Sequence, residues 1–206
     1  MTQPGNGASS MSTVDRMVHA AVERLHESRN ITVNLADIAA FAGVELDAAK
    51  ALFPDDDALD EAIGSFGIMK LSDAMNRALI AAPRGDNRAA LIALANAYID
   101  WARDNRSLYY VLTTRLMQPR RVNSIVRKYD AGFVLLVRRF FGDDDVAPTR
   151  RAAIARAFLY GFTDLVLEDH LELWMLPNDD PAAEVRATVE EFVDILLNKR
   201  DAGAPS

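Results

Sequence analysis

Apolar residues in this chain recur at three- and four-residue steps over most of its length, and the runs stop at glycine, proline and clustered polar residues. That spacing puts one apolar stripe on each of a series of helices, and no segment shows the two-residue alternation of a strand. The chain is therefore expected to be all-α, with about nine helices. The first stripe is Val14, Met17, Val18, Ala21, Val22 and Leu25, on a helix from about Thr13 to Ser28. Ser12 with Asp15 three residues later supplies its capping start.

Asn34 is a good N-cap for a short second helix, Leu35 to Phe41, that must end before Gly43. A third short helix, Leu46 to Leu52, is closed by Phe53-Pro54, because the residue before a proline is pushed out of the α region. Ile38, Ala39, Val44 and Leu52 are expected to form the small interior of this pair, with Gly43 relieving the turn between them. The acidic run Asp55 to Asp57 reads as the capped, dipole-favoured start of a fourth helix reaching about Ala81, with bends expected near Gly64 and Gly67. Pro83-Arg84-Gly85-Asp86 breaks the chain before helix 5, about Arg88 to Asp104. Helix 6 is expected over Leu108 to Met117 and helix 7 from near Pro119 to Phe141. Helix 8 starts near Pro148 and reaches about Glu168 to Leu173. Helix 9 spans Ala182 to about Asn198.

The division that follows is a tail at 1–11, a helix-turn-helix head at 12–54, a body at 55–200 and a second tail at 201–206. Half of the residues are hydrophobic, enough to fill a core in the body. The absence of cysteine removes disulfides, thiolate metal sites and a cysteine nucleophile, and it fits a reducing cytoplasm. No apolar run is long enough to span a membrane, and Met1 to Ser10 lacks the charged and apolar blocks of a signal peptide. The charge is unevenly placed. Ser12 to Phe66 holds four basic and eleven acidic residues, an excess equal to the net charge of −7 of the whole chain. Nucleic-acid-binding modules ordinarily show the opposite sign.

Catalytic and metal chemistry leave no trace in the pattern. His19 and His26 share a helix face, but no carboxylate at ligand spacing joins them. Glu168, Asp169 and His170 read as a solvated helix end rather than a metal or general-base site. No nucleophile-elbow, Walker or dinucleotide glycine pattern occurs, and no cofactor or metal is expected. The basic pairs Arg120-Arg121 and Arg150-Arg151 read as solvated helix starts.

The segment Asp37-Ile38-Ala39-Ala40-Phe41-Ala42-Gly43-Val44 resembles the D-I-A-x-x-A-G-V stretch of TetR-family heads. Leu52-Phe53-Pro54 is similar to that family's close of the recognition helix, and Ala58-Leu59 stands where its fourth helix begins. More loosely, Ala97 to Ala102, Ser107-Leu108-Tyr109 and Leu159-Tyr160-Gly161-Phe162 resemble one subgroup of TetR C-terminal domains, in which a His-Gly pair usually stands where Tyr160-Gly161 stand here. The resemblance implies a homodimeric transcriptional regulator that binds operator DNA through its head and releases it when a small apolar ligand enters the body. Asn34, Glu45 and Lys50 are the positions it puts nearest DNA. The chain departs from the pattern at Glu45 (usually Ser or Thr), Lys50 (usually Tyr), Ala51 (usually His or Tyr) and Asp56 (often Lys). Asn34 and Lys50 keep a phosphate-binding capacity, and Glu45 has the chemistry to accept from a cytosine amino group.

Within the body, the resemblance implies a ligand cavity among helices 4 to 8. Phe66, Met69, Tyr98, Trp101, Tyr110, Phe133 and Phe162 are the candidate lining residues; Tyr98, Trp101 and Tyr110 add a polar tip to an apolar ring. It also implies that helices 8 and 9 pair with their symmetry mates in a four-helix bundle, with Phe158, Leu165, Val189, Phe192 and Leu196 at the seam. The competing reading is a protein of this fold that has lost DNA binding and holds a lipid-like molecule or another protein.

Overall fold

The computed structural model describes residues 11–27, 34–116, 124–141, 147–171 and 180–198. Both expected tails lie outside them, apart from Met11. The described residues form helices only: α1 (Thr13–Glu27), α2 (Leu35–Phe41), α3 (Leu46–Leu52), α4 (Asp56–Ala81), α5 (Asn87–Asp104), α6 (Arg106–Tyr110), a π-helical segment (Val111–Leu116), α7 (Ser124–Phe141), α8 (Ala147–Leu167) and α9 (Pro181–Asn198).

The head is set by local chemistry at each helix end. Ser12 Oγ accepts from the Asp15 backbone N–H at 3.1 Å and donates to its carboxylate at 2.7 Å, opening α1. Asn34 Oδ1 accepts from the N–H groups of Ala36 and Asp37 at 2.9 and 3.1 Å, opening α2. At the other end of α2, Val44 N–H reaches Ala39 O and Gly43 N–H reaches Ala40 O, with Gly43 at φ +64°. This Schellman close needs a left-handed residue, and Ala39 and Val44 meet in the interior beside it.

Two expected interior positions of the head face outward instead. Leu52 is 42% exposed and Val14 38% exposed. The short α3 turns Ala49 inward, so the interior is completed by Ala49 and by Phe53, which folds back after the helix has ended. Val14 sits in the first turn of α1, while Met17, Ala20, Ala21 and Leu25 pack on α2 and α4.

In the body, α4 packs along α5, α5 is flanked by α8 and α9, and α7 lies on α8. α4 is continuous through both glycines. Gly67 faces Leu108 and Leu112, whose side chains lie at contact distance from where a Cβ would stand. The expected single helix over Leu108 to Met117 is corrected to a short α-helix that widens at Val111. Thr113 and Thr114 donate their hydroxyls to the carbonyls of Tyr109 and Tyr110, competing for the acceptors that regular i to i−4 bonding uses. α8 ends at Leu167, where Asp169 adopts φ +55° and His170 N–H caps Leu165 O. Arg88 at the start of α5 grips Asp194 of α9 with two nitrogens (2.6 and 2.8 Å) and touches Glu190 at 3.2 Å.

Candidate functional site

α3 is the exposed face of the head. Its one fully buried residue is Ala49. At 3.6 residues per turn, Asp47 and Ala51 therefore stand on the opposite, outermost side, and Lys50 stands about a quarter-turn off. Glu45 is the N-cap by backbone only; its carboxylate makes no capping bond and stays at the exposed helix start. Asn34 is exposed too, but its amide oxygen is committed to capping α2. Glu45, Asp47 and Lys50 are all exposed, and Leu46 and Leu52, three residues either side of Ala49, are half-exposed at the flanks of the buried side.

Asp56, another departure from the family pattern, has a structural role that the sequence does not announce. Its carboxylate accepts from Leu35 N–H at 2.7 Å, so the first turn of α4 holds the first turn of α2. A lysine at that position has no acceptor to offer this N–H.

An apolar cavity of about 430 Å³ lies within the body. α4 contributes Ile68, Leu71 and Met75, an inward stripe at i, i+3 and i+7. α5 contributes Tyr98 and Trp101, and Phe133 comes from α7. Tyr109, Leu112 and Thr113 close it from α6 and the π-helical segment, and Arg156 and Tyr160 from α8. Of the seven residues singled out from sequence, Tyr98, Trp101 and Phe133 are in this wall. The other four lie outside it. Met69 is 55% exposed because it sits on the opposite side of α4 from the inward stripe. Phe66 meets the His19 ring edge-on at 5.1 Å, under the head. Tyr110 donates its hydroxyl to Glu168, outside the cavity. Phe162 is buried between α8 and α9, stacked on Phe158.

The wall is tied to both neighbours. Tyr109 donates its hydroxyl to Asp164 of α8 at 2.8 Å, and burial, the nearby Tyr98 and this bond raise its pKa and keep it protonated. Two residues before it, Ser107 donates to Leu25 O at the end of α1 at 3.0 Å. Arg106 and Tyr110 both hold Glu168, whose carboxyl is kept below its usual range first by the tyrosine hydroxyl and then by the guanidinium. The short α6 thus touches the cavity, the end of α8 and the last turn of α1.

The residues expected at the dimer seam divide by their burial within the chain. Val189 and Leu196 are inside the chain, 0% and 6% exposed, because α9 turns them onto its own core. Phe158 and Phe192 stack on each other at 3.7 Å within one chain, and Leu165 is half-buried. Among the described residues, Ile154, Tyr160 and Gly161 on α8 and Ile195 on α9 are exposed.

A three-helix head whose short second and third helices are joined at a left-handed glycine, set on a larger helical body, is a helix-turn-helix arrangement. Residues 91–196 match the family model described as tetracyclin repressor-like, C-terminal domain, and the chain belongs to this TetR family. No curated protein matches the sequence. Among solved structures, a protein of unknown function from Rhodococcus sp. RHA1 superposes with a TM-score of 0.74 at 23% identity, covering 95% of this chain and 98% of that one. A putative TetR-family transcription regulator from Shewanella sp. PV-4 gives 0.69 at 18%, covering 89% and 96%. A TetR protein from Acinetobacter baumannii AYE, in complex with minocycline, gives 0.60 at 18%, covering 96% and 100%. At these identities the likeness is one of fold.

Proposed function

We propose that the chain is a homodimeric, ligand-responsive transcriptional regulator. It binds DNA through α3 and is released when a small apolar molecule occupies the body cavity. The observation that carries this reading is the position of α6, which offers Tyr109 to the cavity and Ser107 to the last turn of α1. A ligand that favours one placement of α6 would shift the population of head positions, and two heads in a dimer bind only at a spacing that matches successive major grooves. The exposed apolar residues Ile154, Gly161 and Ile195 give α8 and α9 a surface for the second subunit.

A specific observation favours a second reading. The outermost charged residue of α3 is Asp47, with Glu45 beside the helix start, and a polyanion meets like charge there. On this reading the body is kept as a binding module and DNA is not its partner. One experiment separates the two: binding of the purified protein to its own upstream DNA, measured across a salt series. Specific binding that weakens with salt supports the regulator. A folded dimer that shows no binding at 50 mM salt or below moves the assignment to the second reading.

A further inference from the structure

The wall of the body cavity holds a polar group that the fold leaves unanswered. Trp101, on α5, is 6% exposed and belongs to that wall. Its Nε1–H is buried and has no acceptor among the described residues. An indole nitrogen is a donor only, so no rotation or change of tautomer satisfies it in another way. Buried polar groups nearly always find a partner, because an unmade bond leaves the cost of removing the group from water uncompensated. A phenylalanine would put a ring in the wall without that cost. The neighbouring donors are already engaged. Tyr109 gives its hydroxyl proton to Asp164 at 2.8 Å, and Thr113 gives its own to the Tyr109 carbonyl at 2.9 Å. Tyr98 and Arg156 have partners of their own. Ile68, Leu71 and Leu112 bring only hydrocarbon, which offers the indole no acceptor.

An occupant of this space therefore meets a largely apolar surface and a buried donor without an acceptor. A pure hydrocarbon fills the space and leaves the indole as it stands. A molecule with an acceptor oxygen in its apolar frame supplies the missing bond, in surroundings of low polarity where such a bond is strong. A carbonyl oxygen does this without bringing a donor that needs an acceptor in turn, as a hydroxyl would. We propose that the ligand is a largely apolar molecule carrying a carbonyl oxygen, and that Trp101 is the specificity-determining residue that donates its Nε1–H to that oxygen. The inference rests on the cavity being the ligand site, and it adds the functional group of the ligand and the residue that reads it.

The test uses the full-length protein and two probes of nearly one shape, 2-acetylnaphthalene and 2-ethylnaphthalene, which differ by the carbonyl oxygen. Affinities are measured by equilibrium dialysis. The ketone is expected to bind at least about fivefold more tightly, even though its oxygen must shed water. In Trp101→Phe, which keeps a ring in the wall, the preference is expected to vanish or reverse, since the ketone still loses water and gains no donor. Circular dichroism checks that the variant is folded. A second readout is the indole N–H cross-peak of Trp101 in a proton–nitrogen correlation spectrum, told apart from that of Trp174 with Trp174→Phe. It is expected to move downfield when the ketone binds and to stay near its place with the hydrocarbon. Equal binding of the two probes, or a preference that survives Trp101→Phe, overturns the proposal while leaving the cavity as a ligand site. So does an unmoved cross-peak in the ketone complex, even where Trp101→Phe fails to fold. Failure of both probes to bind overturns the proposal together with the cavity reading beneath it.

Discussion

The head and the body of this molecule have kept different things. In the head, the residues that make the frame are all in place: the Asn34 cap, the left-handed Gly43, the buried Ile38, Val44, Ala49 and Phe53. What differs is the outer surface, where Glu45 stands in place of the pattern's usual Ser or Thr and Asp47 is exposed beside it. In the body, the helices are assembled around a largely apolar cavity of about 430 Å³. The difference teaches that a frame and the surface it carries are separable. Burial and backbone geometry protect the first, whereas the second is free to drift or be reassigned because exposed side chains contribute little to stability.

That separation makes ordered predictions. The largest effect is expected at Phe53. Phe53→Ala should destabilise the protein by about 3 to 5 kcal/mol in urea denaturation, since a buried ring is lost and a cavity is left. The neighbouring Leu52→Ala, at a residue 42% exposed, should change stability by no more than about 0.5 kcal/mol. Equal losses at the two positions would break the distinction between frame and surface.

Next comes Gly43→Val. It places a β-branched side chain at φ +64° and should cost about 1 to 3 kcal/mol by the same measurement. Asp56→Ala leaves the Leu35 N–H without its acceptor and should cost about 1 kcal/mol. If Asp56 were a surface charge only, its removal would leave stability unchanged or raise it.

The smallest effect concerns pH. The folded-state pKa of Glu168 is depressed by Tyr110 and Arg106, so its contribution is present above the usual carboxylate range and is lost as pH falls through and below it. Because the group is exposed, the loss is small. Glu168→Gln should therefore lower the melting temperature slightly near neutral pH and converge with the parent protein under acid conditions. A constant difference from pH 7 to pH 3 would contradict this.

How much could be read from the sequence follows the same divide. α2 and α3 have the expected bounds because their signals are local: an Asn cap, a turn glycine, an X-Pro stop. The outward Leu52 was illegible, since a seven-residue helix is too short for periodicity to say which side faces in. The π-helical turn was hidden for a related reason. Two adjacent threonines are compatible with an α-helix, and only their hydroxyl bonds to Tyr109 and Tyr110 show the competition. The resemblance singled out the aromatic residues Tyr98, Trp101 and Phe133, but an aromatic residue in a helix does not tell whether its side chain meets another side chain or a cavity. Phe162 and Met69 fell to that ambiguity. Arg156 carries no signal in sequence at all, because on α8 it looks like any solvated cation.

The comparison of head and body comes to a point at DNA. The most direct measurement is the affinity of the purified protein for its own upstream DNA between 50 and 200 mM salt, for the parent protein and for Asp47→Ala. A head that is intact in frame and depleted in cations predicts specific binding with a shallow salt dependence, since log affinity falls by roughly 0.9 per neutralised phosphate for each tenfold rise in salt. It also predicts tighter binding on removal of the Asp47 carboxylate. No binding at 50 mM by either protein, with both folded, would contradict the account of the chain as a DNA-binding regulator.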